Sequence, residues 1–393
     1  MTAFPLRRNA FHAAVGGAQS DQSFWIVVEN FADLVTVIGA EVAKEVVEDL
    51  CGRVAAITGC TVGELDIRAT AARVAVRRCG AALDLSYDEL LRTVGCAPYE
   101  CAAGSIVLAL SPKSMRAELQ ERPVELQDER ARECWLADMQ IAAIVYESLH
   151  ETRLDFVYQP IAAAPGSGAV LYSECLSRIA GRNGDSDLVS PGVFIPALER
   201  LGLTRLFDVS VAREAIRLLE NDQEAYLGCN ISALSAVGDL WWQDIQKKLA
   251  ADPAVAARFV VEITETASFS GLDEAKSFMQ NMRLFGCMVA LDDFGIGNNS
   301  LRVATIIKPD IIKIDASLTG SMAERDFGKA FLPSLVRLSS CLARHVVVEG
   351  IACAEDFERS IAAGAEWFQG YYIQPPSPLR QFRNAVGRSS YVL

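Results

Sequence analysis

From residue 154 onward the chain repeats one unit, a short apolar β-rich run followed by a stretch with helical periodicity. Eight such runs occur: LDFVYQPI, VLYSECLSRI, EAYLGCNIS, RFVVEITE, MVALDDF, IIKID, HVVVEGI and WFQGYYI. Between them lie helix candidates such as PGVFIPALERLG, FDVSVAREAIRLLEN, LDEAKSFMQNMRLFG, ERDFGKAFLPSLVRLSSCLARH and AEDFERSIAAG. Strands that alternate with helices pair in parallel, and eight of them over roughly 240 residues predict a TIM-type (β/α)8 barrel, an α/β fold.

A barrel of this kind packs branched apolar side chains inside and takes its chemistry from the carboxyl ends of different strands. The polar residues within or ending the runs are therefore the informative ones. They are Glu174 on the second run, Asn230 on the third, Glu262 on the fourth, Asp292 and Asp293 on the fifth, Lys313 and Asp315 on the sixth, Glu349 on the seventh and Gln369 on the eighth. Lys313 and Asp315 are two apart and face one side of their strand. Any one of these groups alone is better explained by a structural ion pair or a solvated strand end. Seven consecutive runs each supplying one are not.

Six carboxylates converging with one lysine either raise several pKa values or bind cations, and cations are the simpler answer. Oxygen donors without imidazole or thiolate suit Mg²⁺ or Mn²⁺ and disfavour zinc and copper. Adjacent aspartates can bridge two ions, and a two-metal site suits in-line attack on a phosphodiester.

The chain of 393 residues is long for one core, and 51% hydrophobic residues can bury a sizeable one. A formal net charge of -13 argues against a basic groove for a nucleic-acid polymer, so a phosphate ligand calls for an intervening cation. The sequence offers no membrane span or signal peptide and reads as soluble and cytoplasmic. Its 11 cysteines are scattered without a CxxC pair, and with three histidines they read as buried reduced thiols rather than a zinc site. Residues 1–20 read as a flexible leader, 21–118 as a smaller α/β domain, 119–138 as a charged linker and helix, and 139–393 as the barrel domain. The smaller domain opens with the strand FWIVVE and a single long helix through FADLVTVIGAEVAKEVVEDLCGRVAAI.

The barrel segment resembles the EAL domain, the cyclic di-GMP phosphodiesterase module of bacteria, from about residue 139 to the end. YQPI at 158–161 looks like the family's opening strand, and ECLSR at 174–178 stands where the naming Glu-Ala-Leu motif belongs. CNIS at 229–232, EITE at 262–265, DDFGIG at 292–297, KID at 313–315, EG at 349–350 and QGY at 369–371 follow in the family's order. The resemblance implies that Glu174, Asn230, Glu262 and Asp292 hold one Mg²⁺ or Mn²⁺ ion, with Asp292 and Asp293 on a second. It implies that Lys313 and Glu349 orient or deprotonate the attacking water, that Gln369 helps position the cluster, and that Glu265 anchors the loop after the fifth strand. Gln159, Arg178 and Asp315 fall on the substrate side, Arg178 offering a guanidinium fork to a phosphate. The implied reaction opens cyclic di-GMP to linear pGpG, with a homodimer through the EAL domain.

The chain departs from the family's pattern at four places. Cys175 replaces the alanine of the naming motif, and GIGNNS replaces a Gly-Thr-Gly-Tyr-Ser-Ser type loop, with Ile296, Asn298 and Asn299 the altered residues. Ala352 stands where a second glutamate is common, and QPP at 374–376 lacks a basic residue before the last proline. These leave open a receptor or scaffold that binds cyclic di-GMP and acts through protein partners. The first domain resembles a degenerate GGDEF domain on Glu29, Asn30 and Phe31, without the Gly-Gly-Asp/Glu-Glu-Phe sequence a cyclase needs, and reads as a regulatory domain with a possible protein partner.

Overall fold

The computed structural model describes residues 24–58, 65–76, 87–114, 128–164, 168–179, 189–264, 272–296, 300–319 and 328–378. The leader, part of the charged linker, Glu265 and residues 297–299 of the GIGNNS loop lie outside the described residues.

The first domain runs β1 (Phe24–Val28), α1 (Phe31–Ile38), α2 (Ala40–Thr58), β2 (Leu65–Ile67), β3 (Ala72–Val76), α3 (Tyr87–Cys96), a small hairpin of β4 (Tyr99–Cys101) and β5 (Gly104–Ile106), and β6 (Leu110–Ser114). The sheet order is β2-β3-β1-β6, with β1 antiparallel to both neighbours, a βαββαβ split of the ferredoxin-like kind. The expected single helix over 31–57 is two, because Gly39 takes φ +88° and its N–H returns to the Val35 carbonyl. Asn30 is buried and structural: its amide bridges the Val107 carbonyl and the Ala109 N–H at 3.0 Å each.

Helix α4 (Glu129–His150) starts on Asp128, which accepts the Ala131 N–H at 2.7 Å, and runs unbroken through residues 138–139. It packs against both domains, and Asp138 takes a two-pronged Arg200 contact at 2.7 Å and 2.7 Å. A continuous apolar core joins the two domains, with the buried Trp241 donating its Nε1–H to the Leu110 carbonyl of β6 at 3.1 Å.

The second domain is a closed eight-stranded barrel of β7 (Leu154–Ala163), β8 (Val170–Ile179), β9 (Leu227–Ile231), β10 (Phe259–Thr264), β11 (Met288–Phe294), β12 (Ile311–Ile314), β13 (His345–Val348) and β14 (Trp367–Phe368). Around it lie α5 (Pro191–Leu201), α6 (Thr204–Asn221), α7 (Gln243–Ala251), α8 (Pro253–Ala256), α9 (Leu272–Phe285), α10 (Ser300–Ile307), α11 (Phe331–Ser340) and α12 (Ala354–Ala362). The all-parallel expectation fails at one strand: β7 forms a hairpin with β8 and is antiparallel to β8 and β14, while β8 through β14 are parallel. A parallel joint needs a crossover of about a dozen residues, and the chain between Ala163 and Val170 is too short for one. No helix among the described residues is long and apolar enough to cross a membrane.

Ile161, Tyr172, Val260, Ala290, Ile311 and Val347 form a separate buried cluster that plugs the barrel. Two residues along each of these strands stand Gln159, Glu174, Glu262, Asp292, Lys313 and Glu349. The pleat of period two thus stacks a polar layer directly on the apolar plug.

Candidate metal centre at the barrel mouth

Lys313 is the centre of this layer. Its Nζ lies 2.8 Å from Glu349, 2.9 Å from Glu262, 3.0 Å from Asp292 and 3.1 Å from Glu174, and it is 1% exposed. Glu174 also receives the Asn230 amide at 2.6 Å and the Gln369 amide at 2.5 Å. The Gln369 amide reaches Gln159 as well, at 3.2 Å, and Gln159 donates to the Gln374 carbonyl at 3.2 Å. Gln159 faces Glu174 in hairpin register, so the antiparallel first strand delivers its amide into the site.

Asp292 and Asp293 reach the mouth together by a break in the strand. Successive strand residues point to opposite faces, but the β11–β12 register shifts between Leu291 and Phe294, and Asp293 takes φ +54°. An aspartate tolerates that left-handed backbone better than most residues. Asp293 lies beside Asp315, whose carboxylate also accepts the Ser317 N–H at 2.7 Å. Two groups of acids each place oxygens within 4.8 Å of one another: Glu174, Glu262 and Asp292, and Asp292, Asp293 and Glu349. Arg178 stands four residues past Glu174 on the same side of β8, about 13 Å along the strand, half-buried and donating to the Ser177 carbonyl.

Two glycines make room for this arrangement. A Cβ on Gly228 would lie 2.4 Å from the Tyr172 ring and 2.5 Å from Glu262 Oε1, so β9 passes beneath the acids only without a side chain. Gly350 turns the chain straight after Glu349 with φ +67°, and a Cβ there would meet Ala316 at 2.3 Å.

Burial dominates the electrostatics. It pushes Glu262 up to about 8 and, with Asp292 and Asp315 beside it, Asp293 up to about 6. Burial likewise raises Asp292, and Glu349 well above the carboxylate range. Glu174 is the exception: burial alone would raise it, but Lys313 and the amides of Gln369 and Asn230 together hold it below its ordinary value. Burial alone would lower Lys313, yet the four carboxylates keep its ammonium well above the lysine range.

One ammonium leaves the four acids around it under-neutralised. Asn230 Oδ1, Glu262 Oε1 and Gln369 Oε1 are buried with no hydrogen-bond partner, and unpartnered buried acceptors cost about 1–3 kcal/mol each. Oxygen-only donors, excess negative charge and orphaned acceptors in one place fit a hard divalent cation. Sequence reasoning passed over Tyr172 and Gly228 in the layer below. The period-two spacing from Glu174 and Asn230 was the available signal.

The EAL domain family model matches residues 142–376. The chain belongs to the EAL-domain family. It is similar to the cyclic di-GMP phosphodiesterase PdeF of Escherichia coli, 25% identical over 244 residues that make up 61% of this chain and 32% of that protein. The next two curated relatives are covered over 36% and 28% of their lengths, so the chain spans only a part of each. Among solved structures, the FimX EAL domain from Pseudomonas aeruginosa, bound to c-di-GMP, aligns with a TM-score of 0.53 at 24% identity, over 62% of this chain and 99% of that one. The Vibrio cholerae LapD S helix-GGDEF-EAL structure, also bound to c-di-GMP, aligns with a TM-score of 0.54 at 19% identity over 89% of both chains. At these identities the two structures bear on fold alone.

Proposed function

We propose that the barrel domain is a metal-dependent phosphodiesterase that opens cyclic di-GMP to linear pGpG. The observation that carries this reading is the buried polar layer, in which four carboxylates from four strands surround Lys313 and leave acceptor oxygens of Asn230 and Glu262 unpartnered. Glu174, Asn230, Glu262 and Asp292 would hold one Mg²⁺ or Mn²⁺ ion, and Asp292 with Asp293 the second. When bound, such ions supply Lewis-acid stabilisation of the charge that builds on the phosphate.

The chain's own groups do the rest. Lys313 stays an ammonium and holds the carboxylates in one cluster, so taking a proton from the attacking water falls to Glu349, whose carboxyl is raised and 2.8 Å from Lys313. Gln369, which also donates to Gln159, fixes the orientation of Glu174, and Gln159, Arg178 and Asp315 would meet the substrate. The first domain would be a degenerate GGDEF-like regulatory module; its βαββαβ sheet and the likeness in fold to LapD across both domains support the fold part of that reading. A homodimer through the EAL domain and a protein partner of the first domain belong to the same proposal.

A second reading, a cyclic di-GMP receptor without turnover, is favoured by Ile296, which stands exposed where the family's loop carries a hydroxyl. Both readings expect cyclic di-GMP with Mn²⁺ to raise the thermal midpoint, since a ligand of the folded state stabilises it. No shift in differential scanning fluorimetry would remove both.

A further inference from the structure

We propose that Asp208 is a positioning residue for Asn230, an inference that rests on the metal-ligand reading of Asn230 given above. Asp208 sits in the second turn of α6 and is 5% exposed. Its Oδ2 accepts the Ser232 backbone N–H at 3.1 Å, and it is hydrogen-bonded to the Ser235 side chain. Among the described residues it forms no ion pair: the nearby Arg205 is committed to Asp239 at 2.8 Å. Burial pushes the Asp208 carboxyl up to about 7, while the Ser235 and Ser232 hydrogen bonds act against that rise.

What this carboxylate holds is the exit of β9. The strand ends at Ile231, which is also the last residue paired with β10, and Ser232 is the first residue beyond the sheet. Asn230 is therefore set by the ladder on one side and by the Asp208–Ser232 bond on the other. Its amide is 2.6 Å from Glu174, while its Oδ1 has no partner. Further along, the segment is also gripped without Asp208: Thr204 meets Ser235 at 3.2 Å, Trp242 donates to the Ser235 carbonyl at 2.8 Å, and Arg205 holds Asp239. Asp208 touches the segment at Ser232 and at the Ser235 side chain, and of these Ser232 is the one joined directly to β9. Groups that orient metal ligands from behind change affinity by about 10–100-fold when removed, and one acting through the backbone belongs at the lower end.

The test is a Mn²⁺ titration of the full chain followed by electron paramagnetic resonance, on wild type, Asn230→Ala, Asp208→Ala, Asp208→Asn and Asp208→Glu. Asp208→Ala is expected to weaken Mn²⁺ binding about tenfold. Asp208→Asn keeps an acceptor for the Ser232 N–H and should stay close to wild type, a rescue that a merely structural role would not produce in the affinity. Should Asp208→Ala not fold, Asp208→Glu, which displaces the acceptor by one methylene, should bind more weakly than wild type. Wild-type affinity in the folded Asp208→Ala or Asp208→Glu protein, with Asn230→Ala weakened, overturns the positioning role. Wild-type affinity in Asn230→Ala overturns the metal reading itself, and the inference with it.

Discussion

Asp292 and Asp293 could not both face the barrel mouth if β11 kept its pleat to the end. The bulge and the left-handed backbone at Asp293 solve this at a cost of about 1 kcal/mol of local strain. Asp293→Gly should relieve the strain and remove a carboxylate crowded by Asp292 and Asp315, so urea denaturation of the metal-free protein should give about 1 kcal/mol more stability. The same variant should bind Mn²⁺ more weakly; a variant that is less stable and binds as before would contradict this account of the bulge. Lys313→Met removes the only cation of the layer among the described residues and should destabilise the metal-free protein by about 3–5 kcal/mol near pH 8, because it strands buried charge. At pH 5, where those acids take up protons, the loss should be smaller. The acids themselves were legible in the sequence, since charge inside apolar runs is rare and their order along the chain is specific. Asp208 was not, because its role depends on which helix lies against the exit of β9; Tyr172 and Gly228 were marked only by position, two residues before Glu174 and Asn230, and what they do depends on the strand beside them.

Among the elements, the hairpin of β7 and β8 is the place where sequence reasoning about pairing failed. Alternation at period two carries no information on strand direction, so β7 read like the other seven. The signal that was present is the length of the connection, too short to hold a crossover helix. The broken helix of the first domain was likewise marked by Gly39. The two tryptophans at 241–242 are packing residues: Trp242 meets Phe278 edge-on at 4.9 Å, and Trp241 ties the two domains through Leu110. Trp241→Phe keeps most of the ring but leaves the Leu110 carbonyl without its donor. A loss of about 1–3 kcal/mol in urea denaturation is expected, and an unchanged midpoint would mean that this bond does not hold the domains.

For the whole molecule, the charge of the barrel mouth sets the response to pH. In the folded, metal-free protein Glu262 binds its proton up to about 8, Asp293 to about 6, and Glu349 is raised as well, whereas an unfolded glutamate lets go near its ordinary 4.5. The folded state thus holds more protons, and stability present at acid pH is lost as pH rises from about 5 through 8. The lowered Glu174 acts oppositely, but only as pH falls below its ordinary range, outside that window. Thermal midpoints without metal should therefore fall between pH 5.5 and 8.5, and saturating Mn²⁺, which competes with those protons, should flatten or reverse the slope. A midpoint that rises with pH in the metal-free protein would contradict the assignment. The central claim is tested most directly by chromatography of the products after incubating the full chain with cyclic di-GMP and Mn²⁺. The expected result is linear pGpG from wild type and none from Glu174→Ala with its fold intact. Cyclic di-GMP recovered unchanged from a wild-type protein that binds both it and Mn²⁺ would contradict the claim and leave a receptor.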